Sequence, residues 1–189
     1  MPVNKNLPNI ISSYRLVAFP FLIFFAIQRM EVIFAWLLII NLLSDILDGY
    51  IARKFKLTTQ LGARLDSIAD IGTYIAAFCG VFVFKLDVFS DHLLSFGIFI
   101  TLFILSNILS FVKFGRLPSL HLYSWKIGGY IQGAFFIWLF AVGFNLPFYF
   151  FMISWGILAF TEHIIIQLII DEMKSNANGL YWILKDKKH

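Results

Sequence analysis

Long apolar stretches separated by short polar breaks organise the whole chain. A bilayer is crossed by about 20 apolar residues in a helix, so stretches of this length predict membrane-spanning helices. Six such spans are expected, the first of them short and the last two joined by a very tight turn. They cover 12–28, 32–55, 62–84, 92–114, 125–145 and 147–170.

Polar and amphipathic segments flank the spans at both ends. Residues 1–15 predict a short N-terminal interfacial helix, with Lys5 and Arg15 at the lipid headgroups. Residues 171–189 combine Tyr181 and Trp182 with several lysines, which suits a second interfacial segment. The six spans and their flanking segments together predict an all-α integral membrane protein that forms one domain over 1–189.

The composition excludes an ordinary soluble protein. Of the 189 residues, 60% are hydrophobic and only 14% are charged, whereas soluble domains carry about 25% charged residues. Cys79 is the single cysteine, so neither an intramolecular disulfide nor a cysteine metal site is expected.

The basic residues are distributed unequally between the two sides of the predicted bundle. One side receives two, Arg29 and Lys85, and the other receives 13. The positive-inside rule therefore predicts that both termini lie in the cytoplasm. Anchoring to an anionic membrane surface explains the net charge of +4, so no nucleic-acid partner is expected. The 13 are Lys5, Arg15, Arg53, Lys54, Lys56, Arg64, Lys113, Arg116, Lys126, Lys174, Lys185, Lys187 and Lys188.

Four carboxylates occupy positions that a membrane helix tolerates poorly. Asp45 and Asp48 are three residues apart near the end of the second span, and Asp66 and Asp70 are four apart near the start of the third. Each spacing places its pair on one helix face. A short link makes the two helices antiparallel neighbours, so we expect the pairs to meet at similar depth.

An acid within a span costs on the order of 3 kcal/mol, and clustering adds repulsion. Protonation, ion pairs or bound cations can offset that cost. Arg53 and Arg64 could neutralise two acids at most, and structural ion pairs are the alternative interpretation. Mg²⁺ or Mn²⁺ would suit the carboxylate oxygens, and two such ions would suit phosphoryl chemistry.

The stretch DILDGYIARKFKLTTQLGARLDSIAD, from 45 to 70, carries a spaced motif. It resembles the signature of the CDP-alcohol phosphatidyltransferase family, Asp-x2-Asp-Gly-x2-Ala-Arg, a gap of eight residues, then Gly-x3-Asp-x3-Asp. The opening segment NLPNIISSYRLVAFP is similar to that of bacterial members, especially the phosphatidylglycerophosphate synthases. Size and predicted topology extend the resemblance to the whole chain, and it implies transfer of a phosphatidyl group from CDP-diacylglycerol to an alcohol.

The resemblance also implies roles for single residues. Asp70 would take the proton of the acceptor hydroxyl and contact a second metal. Family members are usually homodimers whose site opens at the cytoplasmic membrane boundary, so the resemblance implies a homodimer, here expected in a bacterial plasma membrane. The implied metal ligands are Asp45, Asp48 and Asp66, with Asp70 as the fourth, and the implied CDP-binding residues are Gly49, Ala52, Arg53 and Gly62.

The acceptor alcohol is less readable. A basic group between the fourth and fifth spans suits a phosphorylated acceptor, and these residues are Lys113, Arg116, His121 and Lys126. The resemblance to the synthases favours glycerol 3-phosphate as the acceptor, although Ile71 and Gly72 stand where the synthases typically carry a lysine. Inositol phosphate, serine and phosphatidylglycerol are the alternative acceptors. Membrane anchoring is the alternative role of the basic residues.

Glu162 and His163 form the other polar pair within a predicted span, either functional or bonded to a neighbouring helix. An ion-coupled transporter is the main rival class, because intramembrane acids also mark ion pathways. That class predicts polar residues along several spans and internal pseudo-symmetry. Here the acids cluster at one end, and the spans show no repeat.

Overall fold

A computed structural model describes residues 6–55, 57, 59–115, 122–172 and 178–186. For four of these the backbone alone is described: Arg53, Gln60, Ala63 and Asp186. The chain divides into two compact units, residues 1–88 and 89–189.

All regular elements in the described residues are helices. The first unit contains α1 (Leu7–Ile27), α2 (Glu31–Lys54) and α3 (Gln60–Phe84), and α4 (Leu86–Phe89) follows at the boundary. The second unit contains a 3₁₀ turn (Ser90–His92), α5 (Leu93–Phe114), α6 (Tyr123–Ala141), α7 (Leu146–Ile169) and α8 (Leu180–Asp186).

Five helical segments in the described part of the chain are long and apolar enough to cross a membrane. They are Leu7–Ile27, Glu31–Ala52, Arg64–Phe84, Leu86–Phe114 and Leu146–Ile169. The all-α integral membrane architecture is thus confirmed. Helix α6 has 19 residues but carries Lys126, Gln132 and several glycines. Its role as a sixth span stays a prediction.

Helix α1 is continuous from Leu7, so the expected interfacial lead-in is not a separate element in the described residues. Pro8 stands in the first turn, where a missing N–H costs nothing. Residues 7–15 instead form the start of the spanning helix α1. Residues 1–5 of the lead-in lie outside the described residues.

The buried face of α1 holds the first unit together. It packs along both α2 and α3, which touch each other over a shorter stretch. The buried positions follow a spacing of three or four residues, as one helix face requires. They are Pro8, Ser12, Arg15, Ala18, Leu22 and Ala26.

In the second unit α7 packs against both α5 and α6. Its polar residues bond within this unit: Ser106 Oγ lies 2.7 Å from His163 Nδ1. Glu162 accepts hydrogen bonds from Ser124 Oγ and, at 2.9 Å, from the amide of Leu180. The pair that the sequence singled out therefore bonds to neighbouring helices, and Glu162 caps the start of α8.

Replacing Gly156 by alanine should destabilise the contact between α5 and α7. A Cβ there would overlap the ring of Phe99, which lies in a packed aromatic cluster with Phe160. Overpacking of this kind costs about 1–3 kcal/mol. We expect a lower melting temperature for purified Gly156→Ala in detergent. Gly97→Ala is the matched control, since nothing lies within 4 Å of its Cβ position; equal melting of the two variants would contradict the packing.

Candidate active site

The four acids occur where α2 ends and α3 begins. Asp45 and Asp48 lie on one face of α2, and Asp66 and Asp70 on one face of α3. One carboxylate oxygen from each of Asp45, Asp48 and Asp66 lies within 4.8 Å of the other two. The expectation that the two helices bring their acids to similar depth agrees with this geometry.

Arg15 of α1 lies among these carboxylates and bonds to both helices. Its Nη1 donates to Asp45 Oδ1 at 2.6 Å and to Asp66 Oδ1 at 3.1 Å, and its Nη2 donates to Asp70 Oδ1 at 2.6 Å. Asp48 Oδ2 lies 4.0 Å from Nη1. One guanidinium therefore links both acid pairs, which uses its planar fork of donors.

Arg15 was not among the cations predicted to pair with the acids. The sequence pattern predicts its side chain at the lipid headgroups and offers Arg53 and Arg64 as cations for two acids at most. In the structure Arg15 is only 2% exposed and pairs with Asp45, Asp66 and Asp70. Arg64 is exposed, and no ion pair joins it to the acids in the described residues. The Arg53 side chain lies outside the described residues. Arg15 is buried because it falls on the packed face of α1.

The signal for this role was present in the sequence. Arg15 follows Ser12 by three residues and precedes Ala18 by three. Small residues at such spacing mark the face of a helix that packs closely against others. A cation on that face needs acidic partners on the neighbouring helices, and four were available.

Ser12 supports the fourth acid. Its Oγ lies 2.9 Å from Asp48 Oδ2 and 3.2 Å from the carbonyl oxygen of Pro8, one turn earlier. The Asp48 side chain is only 4% exposed, so this bond helps to satisfy a buried carboxylate. Helix α1 therefore contributes two side chains, three residues apart, to the acid cluster.

A second polar group lies beside the guanidinium on α2 and α3. Thr73 Oγ1 lies 2.9 Å from Asn41 Oδ1 and 3.5 Å from Arg15 Nη2. Arg15 Nε and Asn41 Nδ2 are buried and have no hydrogen-bond partner within the described part of the chain. Neither Asn41 nor Thr73 carries a signal in the sequence, because only the packing of α1 brings Arg15 beside them.

The acids differ in their access to the outside. The side chains of Asp45, Asp66 and Asp70 are 40%, 45% and 45% exposed, whereas that of Arg15 is 1% exposed. Three carboxylates are thus open to an approaching ligand, with the arginine buried beneath them.

The residues implied for CDP binding flank the same helix ends. Gly49 and Ala52 are half-buried on α2, and Gly62 is half-buried in the first turn of α3. Thr59 caps that turn by accepting from the Gly62 amide at 2.9 Å. A Cβ at Gly62 would come within 2.5 Å of Asn9 Oδ1, so a larger residue would require the Asn9 side chain to move.

The suggested acceptor residues lie in the second unit. Lys113 Nζ donates to the carbonyls of Gln167 and Leu168 at 2.8 and 3.2 Å, which satisfies the C-terminal end of α7. Lys126 is exposed at the start of α6. Arg116 and His121 lie outside the described residues. An acceptor role for these residues stays a prediction.

The donor set fits hard divalent cations. Three carboxylates with oxygens this close are the ligands that Mg²⁺ and Mn²⁺ prefer, and soft thiolate ligands are absent from the cluster. Asp70 joins the group through Arg15. The metal-ligand assignments of Asp45, Asp48, Asp66 and Asp70 are chemically consistent with this arrangement and stay predictions.

Part of the chain is similar in sequence to known phosphatidyltransferases. A stretch of 73 residues is 40% identical to a CDP-diacylglycerol–glycerol-3-phosphate 3-phosphatidyltransferase of Rickettsia bellii, covering 37% of this chain and 40% of that protein. An enzyme of the same description from Aquifex aeolicus is 35% identical over 65 residues, covering 34% and 36%.

A CDP-diacylglycerol–serine O-phosphatidyltransferase of Helicobacter pylori is 33% identical over 73 residues, covering 38% of this chain and 31% of that protein. The chain thus spans two fifths or less of the length of these relatives. The sequence model of CDP-alcohol phosphatidyltransferases, in contrast, matches residues 5–167. Since that match covers most of the chain and includes all four acids, the protein belongs to the CDP-alcohol phosphatidyltransferase family.

Proposed function

We propose that this protein transfers a phosphatidyl group from CDP-diacylglycerol to glycerol 3-phosphate and releases CMP. The observation that carries the proposal is the convergence of both acid pairs at one end of α2 and α3. The family membership supports the transfer chemistry, and the relatives described as glycerol-3-phosphate enzymes support the acceptor.

The acids have separate tasks in this proposal. Asp45, Asp48 and Asp66 would hold Mg²⁺ or Mn²⁺, and bound ions would neutralise the charge of the pyrophosphate. Two ions are expected. Gly49, Ala52 and Gly62 would receive the CDP group, since small residues let phosphates approach the backbone closely, and the positive charge of Arg53 would attract the phosphates.

Asp70 would act as the general base. The acceptor hydroxyl loses its proton to the Asp70 carboxylate as its oxygen bonds to the phosphatidyl phosphorus. The bond between that phosphorus and the CMP oxygen breaks, and its electron pair leaves with CMP. The 45% exposure of the Asp70 side chain supports this role, because a base must reach the acceptor.

The wider setting is also part of the proposal. The distribution of basic residues supports a site at the cytoplasmic face with both termini on that side. The family match runs across both compact units, which supports a single functional domain. The resemblance further implies a homodimer in a bacterial plasma membrane.

The acceptor is tested by CMP release from purified protein in detergent with CDP-diacylglycerol. We expect release with Mg²⁺ or Mn²⁺ and glycerol 3-phosphate, and none after chelation with EDTA. Parallel reactions with serine, inositol phosphate and phosphatidylglycerol test the alternatives. CMP release with serine alone would show that serine is the acceptor, as the description of the Helicobacter relative indicates for that protein. If folded protein releases no CMP with any acceptor, the enzymatic proposal is wrong.

Asp70→Asn should lower the turnover number by about 10²–10⁴-fold, the usual contribution of a general base. The amide keeps the shape of the side chain but cannot take up the proton. Turnover is measured at saturating substrates, with the melting temperature as a check on folding. Asp91→Asn is the control, because Asp91 is exposed in the 3₁₀ turn of the other unit. Near-normal turnover of folded Asp70→Asn would disprove the base assignment.

A further inference from the structure

Arg15 occupies the centre of an acid cluster that the proposed function gives to metal ions. We propose that Arg15 is an exchangeable counter-cation: it holds the four carboxylates together before metal binds, and it releases Asp45 and Asp66 when divalent ions enter. This inference rests on the proposed metal-dependent function and concerns the metal-free protein and the step of metal entry.

The first reason is electrostatic. Four carboxylates at adjoining helix ends repel one another, and three of them contact a single guanidinium at 2.6–3.1 Å. Asp45 belongs to α2, whereas Asp66 and Asp70 belong to α3. Without Arg15 both pairs would face each other with no positive charge between them in the described residues. The arginine therefore lets α2 and α3 stay together when no metal is bound.

The second reason is competition for the same oxygens. Arg15 Nη1 bonds at once to Asp45 Oδ1 and Asp66 Oδ1. A Mg²⁺ or Mn²⁺ ion held by these carboxylates would draw on the same oxygens, and its positive charge would repel that of the guanidinium. Binding of one must therefore weaken binding of the other.

The third reason is that the guanidinium is incompletely held. Its Nε has no hydrogen-bond partner in the described residues, nor does Nδ2 of the neighbouring Asn41. Its contact to Thr73 is long, at 3.5 Å. Asp48, in contrast, is held by Ser12 at 2.9 Å. One acid therefore keeps its place when the arginine moves, and an ion can approach through the half-exposed Asp45 and Asp66.

Linkage requires that this antagonism be reciprocal. If Arg15 weakens metal binding, removal of its charge must tighten metal binding and make folding more dependent on the metal. A residue that only packs, or one that helps to ligate the ion through Asp45, would have the opposite effect or none. The sign of the change in affinity therefore decides the matter.

The test uses Arg15→Gln, which removes the charge, and Arg15→Lys, which keeps the charge but loses the planar fork. Lys85→Gln is the matched control, since Lys85 Nζ pairs with Glu31 Oε1 at 2.6 Å at the opposite ends of α3 and α2. Two quantities are measured in detergent at fixed pH and salt. They are the Mn²⁺ dissociation constant, from the paramagnetic resonance signal of free Mn²⁺, and the melting temperature in EDTA and in saturating Mn²⁺.

For Arg15→Gln we expect a dissociation constant for Mn²⁺ lower than wild type by about tenfold, within the range usual for coupled sites. Its melting temperature in EDTA should fall below that of Lys85→Gln, and Mn²⁺ should raise it by more than it raises the wild type. The dissociation constant and the melting temperature of Arg15→Lys should lie between those of Arg15→Gln and the wild type. If Arg15→Gln folds only with Mn²⁺ present, the proposal is supported. If it does not fold at all, tighter Mn²⁺ binding by Arg15→Lys than by wild type is the expected result.

Equal or weaker Mn²⁺ binding by the folded variants would overturn the counter-cation role, while leaving metal-dependent transfer by the wild type intact. Failure of the proposed function gives a different result: neither wild type nor variant binds Mn²⁺, and both proposals are then wrong.

Discussion

The attraction between one buried guanidinium and carboxylates on two other helices is the interaction on which the first unit depends. Charges within an apolar helix bundle are stable only when they are paired, since lipid and packed side chains solvate them poorly. Arg15 meets this requirement for Asp45, Asp66 and Asp70 at one end of the unit. Helices α1, α2 and α3 must therefore keep their relative register, because a shift of one turn would separate these partners.

The same helix register brings the acids and their partners on α1 together. Ser12 and Arg15 lie on the packed face of α1, and the small side chain of Ala18 follows on that face. Gly62 lets the start of α3 approach Asn9 near the same end. Close approach of the helices and convergence of the acids are thus one structural arrangement, so the residues that pack α1 against α2 and α3 also position the acid cluster.

Polar side chains in the second unit are also paired. His163 bonds to Ser106, and Glu162 bonds to Ser124 and to the start of α8. Burying such polar groups among apolar side chains without a hydrogen bond would cost free energy. Among the residues that the structure describes, the polar side chains named above therefore form two kinds of group: an acid cluster with three half-exposed carboxylates, and buried pairs that fasten one helix to another.

The sequence by itself determined the long helices, the pairing of acids on two helix faces and the family signature. These features depend on local periodicity and on spacing along the chain, which folding does not change. Only the tertiary structure decided the partner of the acids. Arg15 is 30 residues from Asp45 and 55 from Asp70, and spacing cannot show which face of α1 turns inward. That choice depends on how α1 packs against α2 and α3, so a residue expected at the headgroups lies at the centre of the acid cluster.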